Sequence, residues 1–190
     1  MDWGLIQSVL VKSWPVWLVT VTLIVAAVID GWALKVPNWI TFPLIAGGWL
    51  YCTIVGGWGG LGMSLLGTAV GLALLLPAYA IGGMGAGDVK LLAGVGAWMG
   101  ATTTFYAFCL SAIIGGVIAV GMVMFAGQWH KHKGQFFYMI NEFLTVRDPS
   151  RLAEIAAERK SRMMLLPYGI PIAIGTIVYF AISGMLTGGA

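Results

Sequence analysis

The chain has 190 residues, of which 59% are hydrophobic and only 9% are charged, and its mean hydropathy is +0.93. Soluble domains carry about 25% charged residues, so this composition excludes a water-soluble globular protein. The formal net charge is only +3, so the positions of the charges are more informative than their sum.

Long apolar runs predict an all-α, polytopic integral membrane protein with about six transmembrane helices, because about 20 apolar residues cross the hydrocarbon core as a helix. The predicted spans are residues 15–34, 40–56, 61–83, 89–104, 106–127 and 165–186. Pro15 would then lie in the first turn of the first span, where proline is tolerated. The segment GATTT, residues 100–104, is the predicted turn between the fourth and fifth spans.

The distribution of Lys and Arg predicts the orientation of these spans. With six spans, both termini lie on one side, and the connections after the first, third and fifth spans lie on the other. Only Lys12 falls on the side of the termini. The other basic residues fall in or beside those three connections: Lys35, Lys90, Lys131, Lys133, Arg147, Arg151, Arg159, Lys160 and Arg162. Because cytoplasmic loops carry the excess of Lys and Arg, we expect both termini outside the cell.

The longest polar segment, residues 128–164, is a predicted cytoplasmic basic loop that contains a short amphipathic helix. Asp148 suits the N-cap of this helix and Pro149 its first position. Leu152 and Ile155 would share one stripe, which fits a helix resting on the membrane surface. A solvated basic loop that fixes the topology fits the segment equally well.

The sequence predicts no metal site and no organic cofactor. Cys52 and Cys109 lie within apolar runs and are expected to pack as small hydrophobic residues. His130 and His132 lie in a basic stretch without further ligands nearby, so we expect a solvated loop there.

Asp30 and Asp88 are the two acidic residues that lie within or against the predicted spans. An ionised Asp at the centre of a membrane helix costs about 2.5 to 3.5 kcal/mol, so such residues are candidates for function. A place at a helix end in the interface, where this cost is small, would explain either residue alone. The predicted topology, however, brings both carboxylates to the cytoplasmic face of the membrane.

The residues around both acids predict breaks in the helices. Pro37 lacks an amide hydrogen and restricts the backbone before it, so the first helix should end there, and Asn38 suits a turn or helix start. Gly85 and Gly87 permit unusual backbone angles and the close approach of another chain. Non-helical backbone at this depth is tolerated where it lines a cavity, so we expect a wet site open to an extended peptide.

Two carboxylates in one wet pocket can take different roles. Their like charges disfavour double ionisation, so one carboxyl stays protonated while the other is ionised. The ionised group can take a proton from water, and the protonated group can polarise a peptide carbonyl. This is the chemistry of aspartic proteases.

Three segments resemble motifs of the type IV prepilin peptidases, a family of Gly-x-Gly-Asp intramembrane aspartic peptidases. GMGAGDVKLLAGVGAWMG is similar to their G-x-G-D-x-K element, and DGWALKVPNW to their first active-site element. LPYGIPIAIG, residues 166–175, is similar to the Pro-Tyr-Gly-x-Pro segment of their last helix. With few residues before its first span and no C-x-x-C, the chain resembles the short, peptidase-only form that lacks the methyltransferase region.

The resemblance implies a single membrane peptidase domain over residues 1–190, with Asp30 and Asp88 as the catalytic pair and water as the only co-reactant. It implies cleavage of the short basic leader from type IV prepilins or pseudopilins at the cytoplasmic face of a bacterial or archaeal inner membrane. The expected partners are this substrate, the lipid bilayer and a pilus or secretion assembly machinery, and nucleic acid is not expected.

Further residues that match the family's motifs are expected to shape the site: Pro37, Asn38, Gly85, Gly87, Lys90, Pro167, Tyr168 and Gly169. The glycines before Asp88 would form its loop, and the proline and asparagine would end the first helix. For the lysine, tuning the carboxylates, holding the segment and anchoring the membrane face all fit. The three residues of the last helix would form a wall of the site or serve packing.

Other readings of the same residues remain open at this point. Asp30 and Asp88 could be the coupling carboxylates of a proton- or ion-coupled transporter, although both lie toward one face. A structural assembly factor could keep the pair without catalysis. A presenilin-like protease also uses Gly-x-Gly-Asp, but its first Asp normally follows Tyr, whereas Ile29 precedes Asp30 here.

Overall fold

The computed structural model describes residues 3–80, 83–125 and 167–187, and all regular structure within these ranges is helical. The described residues form four α-helices, α1 (Trp3–Ala33), α2 (Asn38–Ala80), α3 (Ala86–Phe125) and α4 (Gly169–Ile182), and a 3-10 helix follows at Met185–Thr187. The predicted all-α fold is therefore confirmed for the described residues. The basic loop at 128–164 lies outside them.

Helix α1 begins earlier than the sequence predicts and ends as predicted before Pro37. It starts at Trp3, so Pro15 lies inside the helix and not in its first turn. At the other end, Leu34 adopts a left-handed conformation with φ of 49°, and its N–H still donates to the Asp30 carbonyl oxygen at 2.8 Å. Val36 and Pro37 lie outside any helix, and α2 begins at Asn38.

Helix α2 reverses its direction at Gly57. The backbone of Gly57 has φ of 58° and ψ of −145°, a combination that is accessible to glycine and strained for other residues. Trp49 Nε1 donates a hydrogen bond to Thr68 Oγ1 at 2.9 Å. In a straight helix these residues would be about 28 Å apart, so the two halves of α2 must lie side by side.

Helix α3 reverses at Gly100, the first residue of the turn predicted at 100–104. Gly100 has φ of 77° and ψ of 175°. After this turn, Tyr106 stacks on Tyr179 with ring centroids 5.7 Å apart, and Ser111 Oγ donates to the Ile172 carbonyl oxygen at 3.4 Å. The residue numbers rise along α3 as they fall along α4, so these two segments are antiparallel.

The described helices have the apolar character of membrane spans. Three of them contain stretches long and apolar enough to cross a bilayer: Ser13–Ala33, Asn38–Ala80 and Ala86–Met122. Helix α4 is apolar but has only 14 residues, and it begins at Gly169 rather than at the predicted residue 165. The two glycine reversals divide α2 and α3 at the places where the sequence predicts breaks between spans.

The first half of α3 lies at the centre of the helices. Leu91, Leu92 and Val95 on α3 are fully buried, and they belong to one apolar cluster with Val19 and Leu23 of α1. The buried face of α3 continues into its first turn, where Asp88 and Val89 are buried.

Small residues let the second half of α2 approach α3 very closely. A Cβ placed on Gly67 would meet the carbonyl oxygen of Gly96, and one on Gly71 would lie 2.7 Å from the carbonyl oxygen of Leu92. Ser64 Oγ also donates to the Ala97 carbonyl oxygen at 2.5 Å. Such backbone contact is how membrane helices gain packing energy without a hydrophobic driving force.

Candidate active site

Asp30 lies in the last turn of α1 and is almost completely buried, with 2% of its surface exposed. Its Oδ2 accepts a hydrogen bond from the backbone N–H of Gly169 at 2.8 Å. Gly169 is the first residue of α4, where backbone N–H groups have no partner within the helix. The start of α4 therefore supplies a donor, and a favourable dipole, to a carboxylate that burial would otherwise destabilise.

The contact between Asp30 and α4 leaves no room for a side chain at position 169. A Cβ on Gly169 would lie 2.8 Å from Asp30 Oδ2 and 3.0 Å from Asp30 Cβ. Glycine is thus required here for close approach. The sequence alone predicts that Gly169 forms a wall of the site or serves packing, and it does not reveal that the Gly169 amide binds Asp30.

Asp88 lies in the first turn of α3 and is also buried, with 5% of its surface exposed. Its Oδ2 accepts a hydrogen bond from the Gly85 N–H at 3.0 Å, and its own N–H donates to the Gly85 carbonyl oxygen at 3.2 Å. An acidic side chain in the first turn complements the helix dipole. These two bonds fix Asp88 against the residue that directly precedes the helix.

The two glycines before Asp88 have different structural roles. Gly85 is non-helical and Gly87 already belongs to α3, and neither glycine has a positive φ. A Cβ on Gly87 would lie 2.5 Å from the carbonyl oxygen of Val36 and 2.9 Å from Val36 Cβ. Gly87 is therefore needed for the close approach of the connection after α1, and unusual backbone angles are not its role.

Lys90, one turn into α3, bridges to the start of α2. Its Nζ donates a hydrogen bond to Asn38 Oδ1 at 3.0 Å and lies 4.6 Å from the centroid of the Phe42 ring. Of the three roles considered for this lysine, these contacts fit that of holding the segment. Phe42 was missed in the sequence analysis; the available signal was an aromatic residue four positions after Asn38, on the same helix face.

Tyr168 and Gly169 together reach both acidic residues. While Gly169 binds Asp30, the phenol of Tyr168 lies within electrostatic reach of the Asp88 carboxylate. Pro167 supports this turn, because its carbonyl oxygen accepts the Ile170 N–H at 3.2 Å. Asp30 and Asp88 therefore lie at the same end of the helices, next to the residues that open α4.

The candidate site is more enclosed than the sequence analysis expected. Instead of lining an open wet pocket, both carboxylates are buried, since α4 covers Asp30 and the turn at Gly85 folds onto Asp88. Within residues 3–80, 83–125 and 167–187, no group of three or more His, Cys, Asp or Glu residues could hold a metal ion. What the geometry offers is a pair of buried, hydrogen-bonded carboxylates.

Residues 17–120, more than half of the chain, match the type IV leader peptidase family. The chain belongs to this family. The matched range contains both Asp30 and Asp88, together with the connection between α1 and α2 and the first turn of α3. The match does not favour the alternative of a coupled transporter.

Individual relatives agree with the family assignment. The chain is 32% identical over 114 residues to proteins named prepilin leader peptidase/N-methyltransferase from Aeromonas salmonicida (strain A449) and Aeromonas hydrophila. The alignment covers 56% of this chain and 39% of each relative. The chain thus spans well under half the length of the curated relatives it matches. No solved structure matches it significantly.

Proposed function

We propose that this member of the type IV leader peptidase family is an intramembrane aspartic endopeptidase with Asp30 and Asp88 as its catalytic pair. The observation that carries the proposal is that two adjacent residues at the start of α4 interact with the two acids: the Gly169 amide binds Asp30, and the Tyr168 phenol lies within electrostatic reach of Asp88. This arrangement gathers two buried carboxylates at one end of the helices, and each of them accepts a backbone N–H that sets its orientation.

Peptide hydrolysis by such a pair divides two tasks between the carboxyl groups. The ionised carboxylate takes a proton from the attacking water, and the protonated carboxyl donates a hydrogen bond to the peptide carbonyl, where negative charge develops. Burial strengthens both interactions because competing solvent is excluded. The amides of Gly169 and Gly85 hold the carboxylates in place before the reaction, so little reorganisation is needed during it.

The proposed substrates are type IV prepilins or pseudopilins, from which a short basic leader is removed. The names of the Aeromonas relatives support this substrate class. Within the described residues, Lys35 and Lys90 lie close in sequence to the ends of α1 and α3 that carry the acids, which supports a cytoplasmic site. A pilus or secretion assembly machinery is the proposed setting.

We further propose that the protein crosses a bacterial or archaeal inner membrane six times, with both termini outside. The reversals at Gly57 and Gly100 support this count, because they convert two long helices into four antiparallel segments. With α1 and α4, six apolar segments result. An even number returns the chain to the side where it began.

Leader cleavage in co-expression tests the proposed activity. Candidate prepilins from the same genome would be produced with the wild type, Asp30→Asn or Asp88→Asn, and processing would be followed by gel shift and N-terminal sequencing. Asn keeps an oxygen that can accept the amide hydrogen bond, so both variants should fold and insert. The matched control is Asp148→Asn, the same chemical change outside the proposed pair.

We expect the wild type and the control to trim a prepilin, and both site variants to accumulate full-length substrate at unchanged membrane levels. Trimming by either site variant would refute the catalytic pair. If the wild type trims no prepilin or pseudopilin, the proposed substrate class is wrong.

A further inference from the structure

We propose that Lys90 is a positioning residue that fastens the connection between α1 and α2 to α3, and thereby sets the position of Asp30 relative to Asp88. The inference rests on the proposed function. We call the arrangement the clasp: Val36 against Gly87, Asn38 bound by Lys90, and Lys90 over the ring of Phe42.

The clasp joins the connection to α3 at two successive positions. Val36 approaches Gly87 so closely that a Cβ would not fit, and two residues later Asn38 Oδ1 accepts the hydrogen bond from Lys90 Nζ at 3.0 Å. The connection therefore runs alongside the first turn of α3 and touches it at successive points.

The residues of the clasp lie close in sequence to both Asp30 and Asp88. On one side, Leu34 N–H donates to the Asp30 carbonyl oxygen at 2.8 Å, so the connection begins in hydrogen-bond contact with the backbone of Asp30. On the other side, Asp88 lies between Gly87 and Lys90, the two α3 residues of the clasp. Movement of the connection along α3 would therefore change the separation of the two carboxylates.

The contacts of Lys90 are more specific than a topological anchor requires. Any cation at the cytoplasmic boundary satisfies the positive-inside rule, and the exposed Lys35 in the same connection does so. Lys90, in contrast, is partly buried, and its ammonium group is engaged by an amide oxygen and an aromatic face. Because its ammonium group binds both the Asn38 amide and the Phe42 ring, Lys90 restricts the distance between α3 and the start of α2.

Two substitutions of Asn38 distinguish a role of its hydrogen bond to Lys90 from a role of its side-chain volume in packing. Asn38→Leu is nearly isosteric and removes the acceptor, whereas Asn38→Asp keeps an acceptor oxygen and adds attraction to the lysine. With purified protein and a prepilin substrate, we expect Asn38→Leu to lower kcat about tenfold, with KM changed less than about twofold. Asn38→Asp should stay within about twofold of the wild type.

Lys90→Met completes the comparison, with Lys35→Met as the matched control. We expect Lys90→Met to reproduce the loss in kcat seen for Asn38→Leu, and Lys35→Met to leave kcat unchanged. The double variant Lys90→Met/Asn38→Leu should lose no more than either single variant, because both remove one interaction. Full additivity of the two losses, or an equal loss in Lys35→Met, would overturn the clasp.

A measurement without substrate distinguishes failure of the clasp from failure of the proposed function. Spin labels at the exposed positions 32 and 86, on a Cys52→Ser/Cys109→Ser background, report the separation of the end of α1 and the start of α3 by electron paramagnetic resonance. We expect Lys90→Met to broaden this distance distribution and Lys35→Met to leave it narrow. An unchanged distribution in Lys90→Met contradicts the inference, whether or not the wild type cleaves a prepilin.

Discussion

The backbone N–H of Gly169 donates a hydrogen bond of 2.8 Å to Oδ2 of Asp30, across a separation of 139 residues in the chain. This bond joins the last turn of α1 to the first turn of α4. A buried carboxylate without such a donor would be strongly destabilised, so the contact contributes both to the fold and to the orientation of the proposed catalytic group.

The first prediction concerns the missing side chain at position 169. Gly169→Ala would place a Cβ 2.8 Å from Asp30 Oδ2, which forces the carboxylate or the start of α4 to move. Displacements of about 1 Å at a catalytic group can reduce rates by about 100-fold, and we expect a loss of that order in leader cleavage. The measurement is the initial rate of prepilin processing at matched protein levels.

Gly116→Ala is the control for this substitution. Gly116 lies in α3, and a Cβ there would meet nothing within 4 Å. The Gly116→Ala variant should therefore process prepilin at the wild-type rate. Equal rates in Gly169→Ala and the wild type would show that the amide contact does not position Asp30.

A second prediction follows from the contact between Gly87 and the connection after α1. Gly87→Ala would bring a Cβ to 2.5 Å from the Val36 carbonyl oxygen, a backbone atom that cannot rotate away. We expect cleavage to fall at least about tenfold. Adding Val36→Ala should not restore the activity, because the carbonyl oxygen remains. Restoration by Val36→Ala would instead assign the conflict to the Val36 side chain.

Much of the fold could be predicted from local features of the sequence. Apolar length predicts helices, and the restriction imposed by Pro37 predicts the end of α1. The predicted start of α1 is wrong, because the sequence predicts Pro15 in the first turn whereas the helix begins at Trp3. A single proline inside a long helix leaves one carbonyl without its usual donor, and sequence alone does not show whether the helix continues through it.

The sequence predicts the acidic residues of the candidate site but not their hydrogen-bond partners. An acidic residue in an apolar span is visible in the sequence, so Asp30 and Asp88 stand out. The partner of Asp30 is a backbone amide, and backbone groups carry no sequence signal. The burial of Asp30 likewise depends on how α4 covers α1, a long-range contact that no local pattern encodes.

The third prediction concerns the close packing of α2 on α3. Gly67→Ala would direct a Cβ into the carbonyl oxygen of Gly96, and overpacking of this kind typically costs about 1–3 kcal/mol. We expect a lower unfolding temperature in detergent for Gly67→Ala. Gly62→Ala, on the same helix with nothing within 4 Å of the added Cβ, should leave that temperature unchanged or slightly raised. Equal unfolding temperatures for the two variants would show that the close approach at Gly67 does not contribute to stability.

The last prediction tests the six-span topology. Single cysteines would be introduced on the Cys52→Ser/Cys109→Ser background at Gly59, which follows the first reversal, at Thr102, which follows the second, and at the exposed Lys35. If α2 and α3 each cross the membrane twice, both reversals lie outside. A membrane-impermeant thiol reagent applied to intact cells should then label Gly59→Cys and Thr102→Cys, and label Lys35→Cys only after permeabilisation. Labelling of Lys35→Cys in intact cells would show that the orientation is the reverse of the one proposed. Labelling of Gly59→Cys and Thr102→Cys from opposite sides would contradict the count of six spans.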